Sequence, residues 1–262
     1  MNKFKIFIIL SVVVVTSISI FIATFHNSSH DKAKYIYFKD YKALDTYFKK
    51  IGYNNLNNPP KLYVKHLPVN LKDAPPSKRK ELFVKILLPM IKSLNKDLEN
   101  QRKEILKAVN KNDSKTISKY LKLYKAKNIN DLLLRVNKIP VDIVLAQAAI
   151  ESGWGTSRFA IEGNNIFGEW TFEKGTGMIP KNRPEGKTYE VKKFPDLMSS
   201  LKSYAMNLNT SPFYEDFRKA RSGEKAEALE ETLTAYSTKR EEYVNMIKRV
   251  IKSNDFSSLN NE

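Results

Sequence analysis

The sequence predicts a mainly helical α+β body with one small β-hairpin, preceded by an N-terminal transmembrane helix. Three observations carry this expectation. An uncharged run from Ile6 to Phe25 opens the chain. Several later segments repeat apolar residues at helical spacing, most plainly Leu82, Phe83, Ile86, Leu87, Met90, Ile91, Leu94 and Leu98. Gly175 to Lys193 places a turn, "NRPEGK", between "GTGMIPK" and "TYEVKKF", the pattern of a hairpin.

The 20 residues Ile6–Phe25 follow Lys3 and Lys5. As a helix they would span about 30 Å, the thickness of a bilayer core. The apolar core of a cleaved signal peptide is usually about 7–15 residues, and "SISIFIATFHNSS" offers no clear small-x-small cleavage site. The expectation is a cytoplasmic start at residues 1–5 and an anchor or uncleaved signal at residues 6–25. The body would then be exported into the cell envelope and tethered to the cytoplasmic membrane. Residues 26–76, broken by Asn54-Asn55, Asn57-Asn58, Pro59-Pro60, Pro68 and Pro75-Pro76, read as a spacer with short local structure. A basic helical region at 77–131, a second domain at 132–253 and a tail at 254–262 complete the organisation.

Composition excludes several chemistries. The chain of 262 residues has no cysteine, so disulfides and thiolate metal sites are ruled out. Its three histidines, His26, His30 and His66, are dispersed, which leaves no cluster for a catalytic zinc and no base for a serine triad near the motif described below. No metal or cofactor is expected. The net charge is +17 and is concentrated: residues 61–131 carry 18 basic and 7 acidic side chains, whereas residues 132–262 carry 19 and 18. Such a surface attracts nucleic acid, anionic lipid or anionic wall polymers. Export argues against nucleic acid as the partner.

Ser77 can cap a helix starting at Lys78, which Pro89 should kink. Ile117–Tyr124 and Ile129–Val136 form two shorter helical patterns. Pro140 opens the next helix, with Asp142 in its first turn. Ile143, Leu145, Ala148, Ala149 and Ile150 make that helix apolar nearly all round, so it should be buried. Gly153 or Gly155 ends it. Glu151 therefore falls on the last turn, where the macrodipole and apolar neighbours both disfavour its charge and should raise its pKa. A carboxyl that holds a proton near neutral pH suits general acid catalysis. Further on, Asp196 caps a helix containing Leu197, Leu201, Tyr204, Ala205 and Leu208. Helices are also expected at Pro212–Ser222, Ala226–Tyr236 and Glu241–Ser253.

The stretch "AIESGWGTSRFAIEGNNIFGEW", Ala149 to Trp170, gathers the candidate site. Trp154, Phe167, Trp170 and the following Phe172 supply aromatic surface of the kind that stacks on sugar rings. Asn164 and Asn165 supply amide donors and acceptors. Together with one protonated carboxyl they describe a carbohydrate cleft. Periodicity alone leaves open a structural Glu151 bonded to backbone or to a tyrosine.

"LAQAAIESGWGTS" followed by "GNNIFG" resembles the glycoside hydrolase family 73 glucosaminidases. With "KTYEVKKF", "YAMNLNTSPFYEDFR" and "AYSTKREEYV" the likeness is to the Bax-type branch and covers about residues 60–253. The resemblance implies a lysozyme-like fold, a glucosaminidase domain at 132–253, and cleavage of the β-1,4 bond between N-acetylglucosamine and N-acetylmuramic acid in peptidoglycan. It implies Glu151 as the general acid and Tyr236, in "AYST", as the first tyrosine of the family's cleft motif. Tyr243 corresponds to the second, although "YSTKREEY" is one residue longer than the common form. The family's second carboxylate sits in a Thr-Glu context on the hairpin that this sequence does not reproduce. Glu190 is the candidate, with Glu173 and Glu185 as alternatives; a cross-strand lysine partner is the other reading of Glu190. Either Glu190 activates water in an inverting reaction, or the sugar's own acetamido group attacks with help from Tyr236. A lytic transglycosylase and a catalytically inactive wall-binding protein are the rival functions.

Overall fold

Apolar periodicity decides most of the architecture. The computed structural model describes residues 34–260. Along the chain these form β1 (Lys34–Ile36), α1 (Tyr41–Lys50), β2 (Leu62–Val64), α2 (Pro76–Asn110), α3 (Ser114–Tyr124), α4 (Ile129–Arg135), α5 (Val141–Ser152), α6 (Arg158–Gly163), β3 (Trp170–Thr171), β4 (Gly177–Met178), β5 (Glu190–Lys192), α7 (Leu197–Thr210), α8 (Glu215–Ser222) and α9 (Glu241–Ser253). The helices and two small sheets fit a lysozyme-like α+β body.

Local chemistry sets the helix starts. Asp40 accepts from the Ala43 N–H at α1, Asp113 from Thr116 at α3, Asn128 from Asp131 at α4 and Ser157 from Ala160 at α6. Asp196 accepts from the Ser199 N–H at 2.7 Å, the cap expected before α7. Each such cap contributes about 1 kcal/mol. The basic α2 begins at Pro76 and contains Pro89. Helix α5 is buried from Val141 to Ala149. The segment expected as a helix at Ala226–Tyr236 forms only a 3-10 turn, Glu231–Tyr236.

The transmembrane part of the fold expectation is corrected. Among the described residues no helix is long and apolar enough to cross a membrane. Helix α2 has the length, 35 residues, but lysines, arginines and glutamates recur through it. The run Ile6–Phe25, for which the span was expected, lies outside the described residues.

The chain divides into two interleaved units, one holding the chain up to Met90 together with Ala148–Leu201, the other Ile91–Gln147 and Lys202–Glu262. In the first, residues read as a spacer contribute core. Leu44 and Phe48 of α1, Leu62 and Val64 of β2, and Leu67 and Leu71 are buried beside Leu82 and Phe83. β1 and β2 pair in parallel, Lys34 opposite Leu62 and Ile36 opposite Val64. The second unit buries Leu94, Leu98, Tyr124, Leu132, Phe217, Val244, Ile247 and Phe256.

The expected hairpin is present as β4 and β5, and β3 joins it to give a three-stranded antiparallel sheet in the order β3-β5-β4. Trp170 and Met178 both lie opposite Val191, Thr171 lies opposite Glu190, and Gly177 opposite Lys192. Alternation puts Trp170, Val191 and Met178 on one face and Thr171, Glu190 and Gly177 on the other. On that second face Glu190 is only 4% exposed. Its carboxylate accepts from the Gly175 N–H at 3.0 and 3.1 Å and from the Gly177 N–H at 2.8 Å. Gly177 has to be glycine, because a Cβ there would sit 2.5 Å from the Val191 carbonyl oxygen and 2.8 Å from Glu190 Cβ.

The Gly175 and Gly177 N–H groups hold the Glu190 carboxyl below its ordinary pKa. With the folded pKa below the unfolded one, the stabilisation is complete above the unfolded value and is lost as pH falls through the folded value. Glu190→Gln should therefore lower the thermal midpoint at pH 7. The gap to wild type should close as pH falls below about 4, near the ordinary glutamate pKa. A gap that stays constant from pH 7 to pH 3 would contradict this role.

Candidate functional site

The end of α5 is an abrupt reversal. Ser152, the last helical residue, is buried. Its hydroxyl donates to the Ala148 carbonyl at 2.6 Å and accepts from the Gly155 N–H at 2.8 Å. Gly153, Trp154 and Gly155 all take positive φ, at 59°, 58° and 77°. A β-carbon on Gly155 would lie 2.9 Å from the Phe83 ring and 3.1 Å from Leu67 and Leu71, so glycine is required by space as well as by dihedral. Trp154 is the exception, a bulky residue in the left-handed region, where backbone strain accompanies functional positions. Its ring meets Phe83 edge to face at 5.9 Å between centroids, and Lys80 Nζ lies 4.8 Å over it.

Glu151 sits one residue before Ser152 on this last turn and is half-buried. The helix end directs its carbonyl dipoles toward this turn, and the preceding Ala148 and Ala149 side chains are buried. A half-buried carboxyl can give up and take back a proton.

Asn164 and Asn165 are engaged with backbone. Asn164 ends α6 in the left-handed conformation. Its amide nitrogen donates to Phe194 O at 2.9 Å, and its oxygen meets His66 Nδ1 at 3.1 Å. Asn165 donates to the carbonyls of Glu169 and Lys192, each at 2.8 Å, and accepts from the Glu169 N–H at 2.9 Å. Both are buried, as is Phe167. These residues tie the chain before β3 to β5. Trp170 is different, 44% exposed, with the Tyr189 ring 4.1 Å away at a tilt of 48°. The two rings form an aromatic platform on the sheet. Glu173 and Glu185 are exposed, whereas Glu190 is buried behind Gly175 and Gly177.

Tyr236 and Tyr243 belong to the other unit. Their rings stack in parallel, 5.5 Å apart with 5° between planes. Tyr243 is 2% exposed, and Tyr236 is half-buried above it. Tyr204 and Tyr214 approach Tyr236 at 6.4 and 6.1 Å. The buried amide of Gln147 holds this group, accepting from the Tyr204 hydroxyl at 2.6 Å and donating to the Tyr243 hydroxyl at 3.0 Å. Sequence reasoning missed Tyr204 as part of this set and Tyr189 as the partner of Trp170. The strand alternation held the signal for Tyr189, which shares a face with Val191. Among the described residues no group of His, Asp and Glu is arranged to hold a metal ion.

The family described as mannosyl-glycoprotein endo-beta-N-acetylglucosaminidase matches residues 127–256. That range contains the α5 reversal, the sheet and the tyrosine group. The curated relative "Protein bax" of Escherichia coli strain K12 is 32% identical over 196 residues, which cover 67% of this chain and 70% of that protein. Among solved structures, the catalytic domain of the autolysin Auto from Listeria monocytogenes is 18% identical, with 65% of this chain and 87% of that one covered and a TM-score of 0.31. The Glu151 turn thus lies within a matched domain and the likeness extends well beyond it: this chain belongs to the glucosaminidase family and is a glycoside hydrolase that acts on a glycan.

Proposed function

We propose that the chain is a peptidoglycan hydrolase that cleaves the β-1,4 bond between N-acetylglucosamine and N-acetylmuramic acid, with Glu151 as general acid. The observation that carries this reading is the placement of Glu151, half-buried on the last turn of α5 and followed at once by the Ser152-stapled reversal that presents Trp154. Its substrate lies in the cell envelope, and that is where the enzyme would work.

In the proposed reaction the Glu151 carboxyl gives its proton to the glycosidic oxygen as the bond to C1 breaks. The acetamido oxygen of the N-acetylglucosamine attacks C1 and forms a cyclic oxazolinium ion. Water then opens the ring at C1 and loses its proton to the Glu151 carboxylate, which restores the acid. The resemblance assigns to Tyr236 the part of orienting the acetamido group and steadying the charge that develops. Trp154, Trp170 and Tyr189 offer ring surfaces to the sugars. A substrate-assisted route is preferred to water activation by Glu190, because the oxygens of that carboxylate accept hydrogen bonds from the sheet's own backbone. The same observation keeps a lytic transglycosylase as the second reading, since that chemistry also needs one carboxylate.

Glu151→Gln should abolish digestion of purified peptidoglycan while leaving circular dichroism unchanged. General acid catalysis contributes about 10²–10⁴-fold, so loss should be near complete. Wild-type turnover by this variant would make Glu151 structural. Mass spectrometry of the wild-type digest should find reducing N-acetylglucosamine ends; anhydro-muramic ends would identify a transglycosylase, and no products an inactive wall binder.

Tyr236→Phe should reduce turnover of a defined glycan more than Glu190→Gln does, each compared at a temperature where the variant is fully folded. The anomer first released should retain the configuration of the bond cleaved. Inversion together with a fully active Tyr236→Phe would instead require a carboxylate base.

A further inference from the structure

A cavity of about 670 Å³ lies in the unit formed by Ile91–Gln147 and Lys202–Glu262, at the start of α5. Its size is that of a small-ligand site. Among the described residues Lys92, Lys96, Lys138 and Arg221 line it, against one carboxylate, Glu99. That carboxylate is already held by Lys96 and Lys103, each at 3.1 Å. The floor is fixed by Asn95, whose amide donates to Ile139 O and accepts from the Ile139 N–H, both at 2.8 Å.

Arg221 is the unusual member. Its guanidinium donates to the Asn209 side-chain oxygen at 2.9 Å and to the Leu134 carbonyl at 2.9 Å, both neutral acceptors. Its Nε is fully buried and has no hydrogen-bond partner. Nearby, Arg102 donates to the carbonyls of Leu133 and Val136, and Arg218 to those of Leu208 and Ser211. Three arginines thus spend their donors on neutral oxygens. Burial first, then Arg218 and Arg102, pulls the Arg221 pKa down to about 9. Among the described residues two of the lining cations, Lys138 and Arg221, have no carboxylate within ion-pair distance, and an anion placed there would offset their charge.

We propose that this cavity binds a phosphate group. Phosphate suits it better than a carboxylate. Its second charge answers two cations, Lys138 and Arg221, and its oxygens can accept from several donors at once. The glycan site proposed above does not account for the cavity, so either reading can fail without the other.

The full chain is titrated with inorganic phosphate, and with acetate at matched ionic strength, and its thermal midpoint is followed. Phosphate at tenfold excess over its Kd should raise the midpoint by roughly 3–5 °C, and acetate should do much less. The test variant is Lys96→Gln with Lys138→Gln. Both lysines are exposed, so the fold should survive, and phosphate affinity should fall at least about fivefold as two charges are lost. Phosphatidylglycerol vesicles separate the sources of the group. Vesicle binding displaced by inorganic phosphate assigns the cavity to a lipid headgroup, and phosphate binding without vesicle competition assigns it to the free ion. An unshifted midpoint, an equal response to acetate, an unaltered response of the double variant, or vesicle binding without any phosphate response would each overturn the proposal.

Discussion

Two hydrogen bonds of one hydroxyl, Ser152 Oγ to the Ala148 carbonyl and from the Gly155 N–H, close the end of α5. The preceding residues make α5 a buried rod, with hardly any side chain from Val141 to Ala149 reaching solvent. A rod of that kind would continue until a residue refuses the helix. Here the refusal is built from three left-handed residues in succession, and the side chains of Phe83, Leu67 and Leu71 fill the space beside Gly155. Glu151 therefore stands where a rigid element ends, and Trp154 is held immediately beyond it against Phe83. A side chain fixed by a packed helix on one side and a stapled turn on the other has little freedom to drift from a productive geometry.

The small sheet is positioned by the same economy. Asn165 binds the carbonyls of Glu169 and Lys192, Asn164 binds that of Phe194, and Glu190 binds the N–H groups of Gly175 and Gly177. Each is a buried polar group that satisfies backbone which a three-stranded sheet of such short strands leaves unpaired. The outcome is a short rigid sheet that leaves Trp170 and Tyr189 on its other face, in contact with each other.

Much of this was legible in the sequence. The all-round apolarity of α5, the stop at Gly153–Gly155 and the position of Glu151 on the last turn follow from residue types at helical spacing. So does α9, found at the bounds expected. Alternation in "TYEVKKF" revealed β5, with Glu190 and Val191 on opposite faces. What was illegible depends on distant partners. β1 and β2 are three-residue strands that pair in parallel across 28 positions, and no local pattern announces such a pairing. The caps and buried pairs of α1 lay within a stretch whose prolines and asparagines read as spacer. An amide that faces a sugar and one that binds backbone are the same letter, so the burial of Asn164 and Asn165 could not be read from "GNNIFG". Residues 226–236 carry the apolar spacing of a helix, yet only the last part winds, and as a 3-10 turn, with the Tyr236 ring stacked on Tyr243.

The central claim is that the stapled reversal holds Glu151 in position to act. Kinetics of Ser152→Ala on a defined glycan test it most directly, because this change removes the staple and leaves Glu151, the aromatics and the tyrosines in place. The account predicts a folded protein whose kcat falls by about 10²-fold with KM little changed, the cost of a misplaced catalytic group. A folded Ser152→Ala enzyme with wild-type kcat would contradict it.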